Sequence, residues 1–241
     1  MRIQQLVSLP VLVGALSLSA CGDSTSPNSR AVSLSFSSQA AAAGANFDVI
    51  VVSGANTLVI TKAQMVLREI ELKQSASAAC GNDDAVDDCD EIELGVRLID
   101  LPVTAGLTTA LTASIPEGTY REIEFEIHKP SGDAKDAAFK AANPAFADIS
   151  IRVEGTYNGQ QFVFTSAVSQ DVELEFNPPV VVTAANNNVT IQVDLSRWFK
   201  TSTGALIDPS TANPGQPNVS LVSANIKASL KAVEDDDKDG R

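Results

Sequence analysis

Residues 118–127 read GTYREIEFEI, and the last six of them decide the fold class: Glu122, Glu124 and Glu126 alternate with Ile123, Phe125 and Ile127. A period of two places the glutamates on one face of a β-strand and the apolar residues on the other. The same alternation recurs further along the chain. Ile149, Ile151 and Val153 alternate with Ser150, Arg152 and Glu154; Val172, Leu174 and Phe176 alternate with Asp171, Glu173 and Glu175. Val189, Ile191, Val193 and Leu195 alternate with Asn188, Thr190, Gln192 and Asp194. One-sided segments of this kind predict antiparallel sheets with one wet face.

Shorter apolar runs predict further strands over 32–36, 47–52, 58–60, 65–73, 97–101 and 226–233. Turn chemistry separates them at Pro116-Glu117-Gly118, Asn158-Gly159 and Asn177-Pro178-Pro179. Asn-Gly between apolar runs is a strong hairpin signal, because both residues accept positive φ. Helix is scarce, with short segments expected at 136–142 and 219–225. The 200–218 stretch, rich in Pro, Gly, Ser, Thr and Asn, reads as an excursion within the domain. The expected architecture is all-β: one antiparallel β-sandwich over 31–234, with one or two short helices in its connections.

Composition agrees with a folded domain. The chain has 241 residues, of which 44% are hydrophobic and 5% aromatic, with a formal net charge of -13. That charge argues against nucleic-acid binding, which needs a Lys/Arg surplus. The single histidine, His128, excludes multi-histidine metal sites.

The first residues read MRIQQLVSLPVLVGALSLSAC. Arg2 supplies a positive start, and the apolar stretch 6–18 is broken by Ser8, Pro10, Gly14 and Ser17. A spanning helix needs about 20 apolar residues, so this is a secretory signal over 1–20. Leu18-Ser19-Ala20-Cys21 has the pattern of a bacterial lipobox, with Cys21 as the lipidated first residue of the mature protein. Gly22 is not the Asp of inner-membrane retention, so an outer-membrane lipoprotein on either leaflet is expected. Residues 21–30 form a polar tether. Export to an oxidising compartment then predicts a Cys80–Cys89 disulfide. Closing so short a loop stabilises by about 2.7 kcal/mol at most.

The segment IPEGTYREIEFEI (115–127) resembles the Pro-x-Gly-x-Tyr lead-in of prealbumin-like (transthyretin-like) sandwiches. The wider chain resembles a family of uncharacterised bacterial lipoproteins, domain of unknown function four-three-eight-two. The stretches that carry this are LVITKAQMVLREIELK (58–73), LIDLPV (98–103), IPEGTYREIEFEIHKP (115–130), VDLSRWF (193–199) and NIKASLKAVEDDDKDGR (225–241). Each is weak alone, and their order is the signal. The resemblance implies a prealbumin-like sandwich and an envelope location, and implies no activity.

Five constellations remain as candidates for chemistry. Asp83, Asp84, Asp87, Asp88 and Asp90, with Glu91 and Glu93, crowd carboxylates that calcium would relieve. Their spacing matches no defined calcium loop, which favours a solvated acidic loop. Asp235, Asp237 and Asp239 before Gly240 match half of a calcium loop, but no ligating Glu follows, which favours an acidic disordered tail over 235–241. Glu122, Glu124 and Glu126 stand about 7 Å apart along a strand, the separation of an inverting glycosidase pair and equally of any polar strand face. His128 reads as an exposed histidine at a strand end, whose loss should leave folding almost unchanged. Trp198 either plugs an end of the sandwich or contacts a ligand.

The expected function is therefore a lipid-anchored, non-enzymatic envelope protein that binds or scaffolds a protein or a glycan, held to the membrane through Cys21. The alternatives are a calcium-binding module and a carboxylate-dependent hydrolase of envelope polymers.

Overall fold

The computed structural model describes residues 29–38, 49–74, 95–104, 107–184 and 188–234. In chain order the first strands are β1 (Ser29–Ser38), β2 (Val49–Ser53), β3 (Asn56–Gln74), β4 (Arg97–Leu101), β5 (Leu107–Pro116) and β6 (Gly118–Ile127). Helix α1 (Ala134–Ala142) and a 3₁₀ turn at Pro144–Phe146 follow. Then come β7 (Ile151–Tyr157), β8 (Gln160–Ser166), β9 (Gln170–Val182), β10 (Asn188–Val193), α2 (Val219–Lys227) and β11 (Leu230–Glu234). The smaller sheet has the order β11-β10-β1-β5, and the larger is built on β3 from the remaining strands. This is the expected all-β sandwich with short helices.

β3 organises the larger sheet. Two predicted strands, 58–60 and 65–73, merge into its 19 residues. Leu58 and Ile60 pair with β7 on one side and β2 on the other; Leu67 pairs with β6 and β4. One edge of β3 therefore carries β2 then β4, and the other carries β7 then β6, end to end. β8 and β9 continue this outward, β8 on β7 and β9 on β6. The Asn158-Gly159 turn joins β7 to β8 as expected, with φ of 51° and 78°. The Asn158 side chain accepts from the Thr57 N–H at 2.9 Å and donates to Asn56, tying the turn to β3.

Register shifts in β3 fall at Ile60/Lys62, Arg68/Glu71 and Lys73/Gln74. The second is a bulge in which Glu69 takes a φ of 51°. At the first, Gly155 of β7 lies so close to β3 that an added Cβ would sit 1.9 Å from the Val59 carbonyl oxygen.

Four expectations need correction. β1 and β10 pair in parallel, so the sandwich is not purely antiparallel. β5 was not expected, because its large apolar residues Leu107, Leu111 and Ile115 stand four apart with Ala and Thr between them. Asn188, Thr190 and Gln192 of β10 are buried, not wet. β10 is a central strand, and its polar side chains bond sideways: Ser35 Oγ donates to Asn188 Oδ1 at 3.0 Å, and Asn188 Nδ2 to Thr190 Oγ1 at 2.9 Å. The run 226–233 begins as the end of α2, and only its later part is strand.

The inner face of the larger sheet is covered by two things. β1, β5, β10 and β11 cover one part; the connection from Leu195 to α2 covers the rest, bringing Trp198, Phe199, Leu206, Ile207 and Val222 into the same core. Phe199 meets Phe164 edge-to-face at 5.1 Å between centroids. Fully burying side chains of this size contributes about 1.5–3 kcal/mol each. No helix among the described residues is long and apolar enough to cross a membrane.

Candidate functional site: a buried charge cluster beside helix α1

The alternation that makes β6 also sets the parity of the residue after it. Ile123, Phe125 and Ile127 face the core, so Glu122, Glu124, Glu126 and then His128 fall on the outer face. That face is not bare at His128. β6 leaves β3 there, runs through Pro130 into α1, and returns at Ser150 to start β7. Both ends are pinned to one residue: the His128 N–H donates to the Val66 carbonyl at 2.9 Å, and the Val66 N–H donates to the Ser150 carbonyl at 2.8 Å. The excursion folds back over the outer face and buries what lies beneath.

His128 is 3% exposed and Asp136, in the first turn of α1, is 0% exposed. His128 Nε2 is 3.0 Å and 3.1 Å from the two Asp136 carboxylate oxygens, and Nδ1 is 3.4 Å from Glu126 Oε1. Arg68, directly opposite Glu126 in the β3–β6 register, binds the other Glu126 oxygen and lies 3.4 Å from Glu69. The Ser131 N–H donates to Asp136 at 2.6 Å, and Lys140 Nζ donates to the Ser131 carbonyl at 2.8 Å.

Burial by itself would raise the Asp136 pKa; the Ser131 N–H and the hydrogen bond and charge of His128 outweigh it and hold the carboxyl below its usual range. Burial likewise lowers the Arg68 pKa, and the Glu126 hydrogen bond and charge turn the balance upward. Both ring nitrogens and both carboxylates are thus engaged with one another inside the protein. The cluster ties β3, β6 and α1 together. The expectation of an exposed His128 is overturned: α1 covers it, and its partner lies eight residues further on.

The glutamates of β6 sit in a charged grid. In register across β3, β6 and β9 stand Glu71–Glu124–Glu173, Lys73–Glu122–Glu175 and Arg68–Glu126–Asp171. Like charges directly opposite destabilise a sheet, so cations must intervene. Lys73 Nζ reaches Glu124 at 2.5 Å and Glu122 at 3.2 Å. The hydrogen bond to Glu124 comes first among the causes that raise the Lys73 pKa, and it prevails over burial. Glu122 and Glu124 share one ammonium on a flat sheet face, while Glu126 is 9% exposed and belongs to the His128 cluster.

Trp198 is 0% exposed, and its indole N–H donates to Ser229 Oγ at 2.7 Å. The indole is enclosed in the main core, as the plug reading expects, and leaves no exposed face for a ligand. Cys21, Cys80, Cys89, Asp83, Asp84, Asp87, Asp88, Asp90, Asp235, Asp237 and Asp239 lie outside the described residues.

At the β2 end of the larger sheet the outer face carries exposed apolar side chains beside a polar patch. Ile50 and Val52 are 56% and 66% exposed, and Val163 of β8 is 44% exposed. Between them lies a recess of about 300 Å³ lined by Thr61, Glu154, Thr156, Gln161 and Val163. Sequence reasoning missed this face, since Ile50 and Val52 read as ordinary strand residues until β2 is placed at the sheet margin. No protein-family model, curated protein or solved structure matches the chain.

Proposed function

We propose that the chain is a lipid-anchored protein of the bacterial cell envelope, associated with the outer membrane, whose sandwich holds a protein partner without catalysing a reaction. The lipobox pattern ending at Cys21 supports the anchor. More than one acyl chain is needed for stable anchoring, and a mature lipoprotein N-terminus supplies this.

The observation that carries the binding role is the polarity of the fold. β1 begins at Ser29, opposite Pro116 and close to where β3 ends at Gln74. From there β3 runs toward the Ile50/Val52 face for about 55 Å at roughly 3.3 Å per residue. The polar tether enters at one end, and the exposed apolar face with its recess stands at the other, away from the membrane. Exposed β-branched side chains grouped on a rigid sheet favour a protein surface as partner.

A photo-crosslinking residue placed at Ile50 or Val52 in cells tests this. A discrete adduct from the β2 end, lost on Val163→Asp and absent with the probe at Arg30, supports the reading. Adducts of equal yield at both ends, or none at either, would overturn it.

A further inference from the structure

We propose that residues 129–149 form a strap, latched to the sheet by the His128–Asp136 pair, that opens as a unit while both sheets stay closed. Three observations converge on it. First, β6 and β7 lie end to end on the same edge of β3, and the strap leaves and returns at Val66. Its two pinning hydrogen bonds come from residues 128 and 150 themselves. Lifting what lies between them therefore breaks no bond of either sheet.

Second, the strap does not share the main core. Phe139 of α1 and Phe146 of the 3₁₀ turn pack on Val66 in a separate apolar cluster, bordered by Val96, Leu98 and Ile149. This cluster seats the strap's buried aromatic side chains apart from the inter-sheet core, so losing it leaves that core intact.

Third, a buried polar latch closes the seat, while at the root of the strap the Lys129 N–H donates to Ser169 Oγ at 3.0 Å. Asp136 is fully buried, with His128 on one side and the Ser131 N–H on the other. The other charged groups nearby brace the latch from outside: Arg68 and Glu126 from the sheet, and Lys140 on the Ser131 carbonyl. Opening uncovers Val66 on the outer face, a second apolar surface between the charged grid and the β2 end. Segments with few buried contacts of their own open below the global unfolding free energy, and moving elements are drawn from them.

Hydrogen exchange of the intact chain, read residue by residue at increasing sub-denaturing urea, tests this. Amides of α1 should exchange about 100-fold faster than those of β3 and β6, with little urea dependence, as expected of a sub-global opening. Val153→Ala in the inter-sheet core should accelerate the β3 amides and leave those of α1 unchanged, whereas Asp136→Asn should accelerate the α1 amides. If that variant does not fold, Phe139→Ala gives the same readout through the apolar seat. Exchange of α1 and β3 at one rate with one urea slope would overturn the strap. No acceleration of the α1 amides by Asp136→Asn would overturn the latch.

Discussion

Replacing His128 by Ala should be among the most damaging single changes in this protein. The imidazole is 3% exposed and stands between Glu126 and Asp136. Without it, Asp136 keeps its charge at 0% exposure with Ser131 as its remaining hydrogen-bond partner, the N–H 2.6 Å away. Removing one partner of a buried charged pair typically costs about 3–5 kcal/mol, because the other charge stays buried and uncompensated. A whole domain is stable by only about 5–15 kcal/mol, so the loss is a large fraction of the total.

The assay is urea unfolding of the chain without residues 1–20 and with Cys21→Ser, followed by circular dichroism. The midpoint should fall while the slope m stays unchanged, since native compactness is retained. A double-mutant cycle with Asp136→Asn should give a coupling of about 0.5–3 kcal/mol, the range for residues in direct contact. A loss below about 1 kcal/mol, the level of an ordinary substitution, would refute the reasoning and return His128 to the surface.

Three further outcomes follow from the same structure. Gly155→Ala must force β3 and β7 apart, because its Cβ would lie 1.9 Å from the Val59 oxygen; the loss should be at least about 3 kcal/mol, at the upper end for overpacking, and a midpoint shift of a degree or two in a melting scan would contradict the close approach. Trp198 is the single tryptophan, so tryptophan emission reports one buried indole; it should be blue-shifted and scarcely quenched by acrylamide, and full quenching would contradict the plug. Asp136 has a depressed pKa in the folded state, so its contribution is fully present above the unfolded value of about 3.9 and is lost as pH falls through the folded value. Asp136→Asn should therefore flatten the acid limb of stability against pH, and an unchanged limb would show that the carboxyl is not held down.

The strands with large apolar residues at period two were legible. β6, β7 and β9 appear where alternation placed them, because a half-buried strand writes its environment into every second residue. β10 misled for the same reason: its polar residues are buried but hydrogen-bonded along the sheet, and alternation cannot tell a wet face from a satisfied one. β5 was hidden because Ala and Thr carry too little hydrophobic contrast. His128 was the larger miss. Its parity after Glu126 was readable, but its burial depends on α1 folding back over β3, and nothing local to His128 records that. Asp136 carried a faint signal, as an acidic residue in the first turn of a short helix, the position its helix dipole favours. Neither residue reveals the other without the register of β3 and β6.

The anchor is tested most directly by the intact mass of the protein extracted by detergent from cell membranes. The expected species begins at Cys21 and carries the added mass of acyl chains, and Cys21→Ser removes both the added mass and the membrane retention. A wild-type chain found in the soluble fraction, or one extracted with no acyl mass on Cys21, would contradict the lipid-anchored reading and with it the outward orientation of the Ile50/Val52 face.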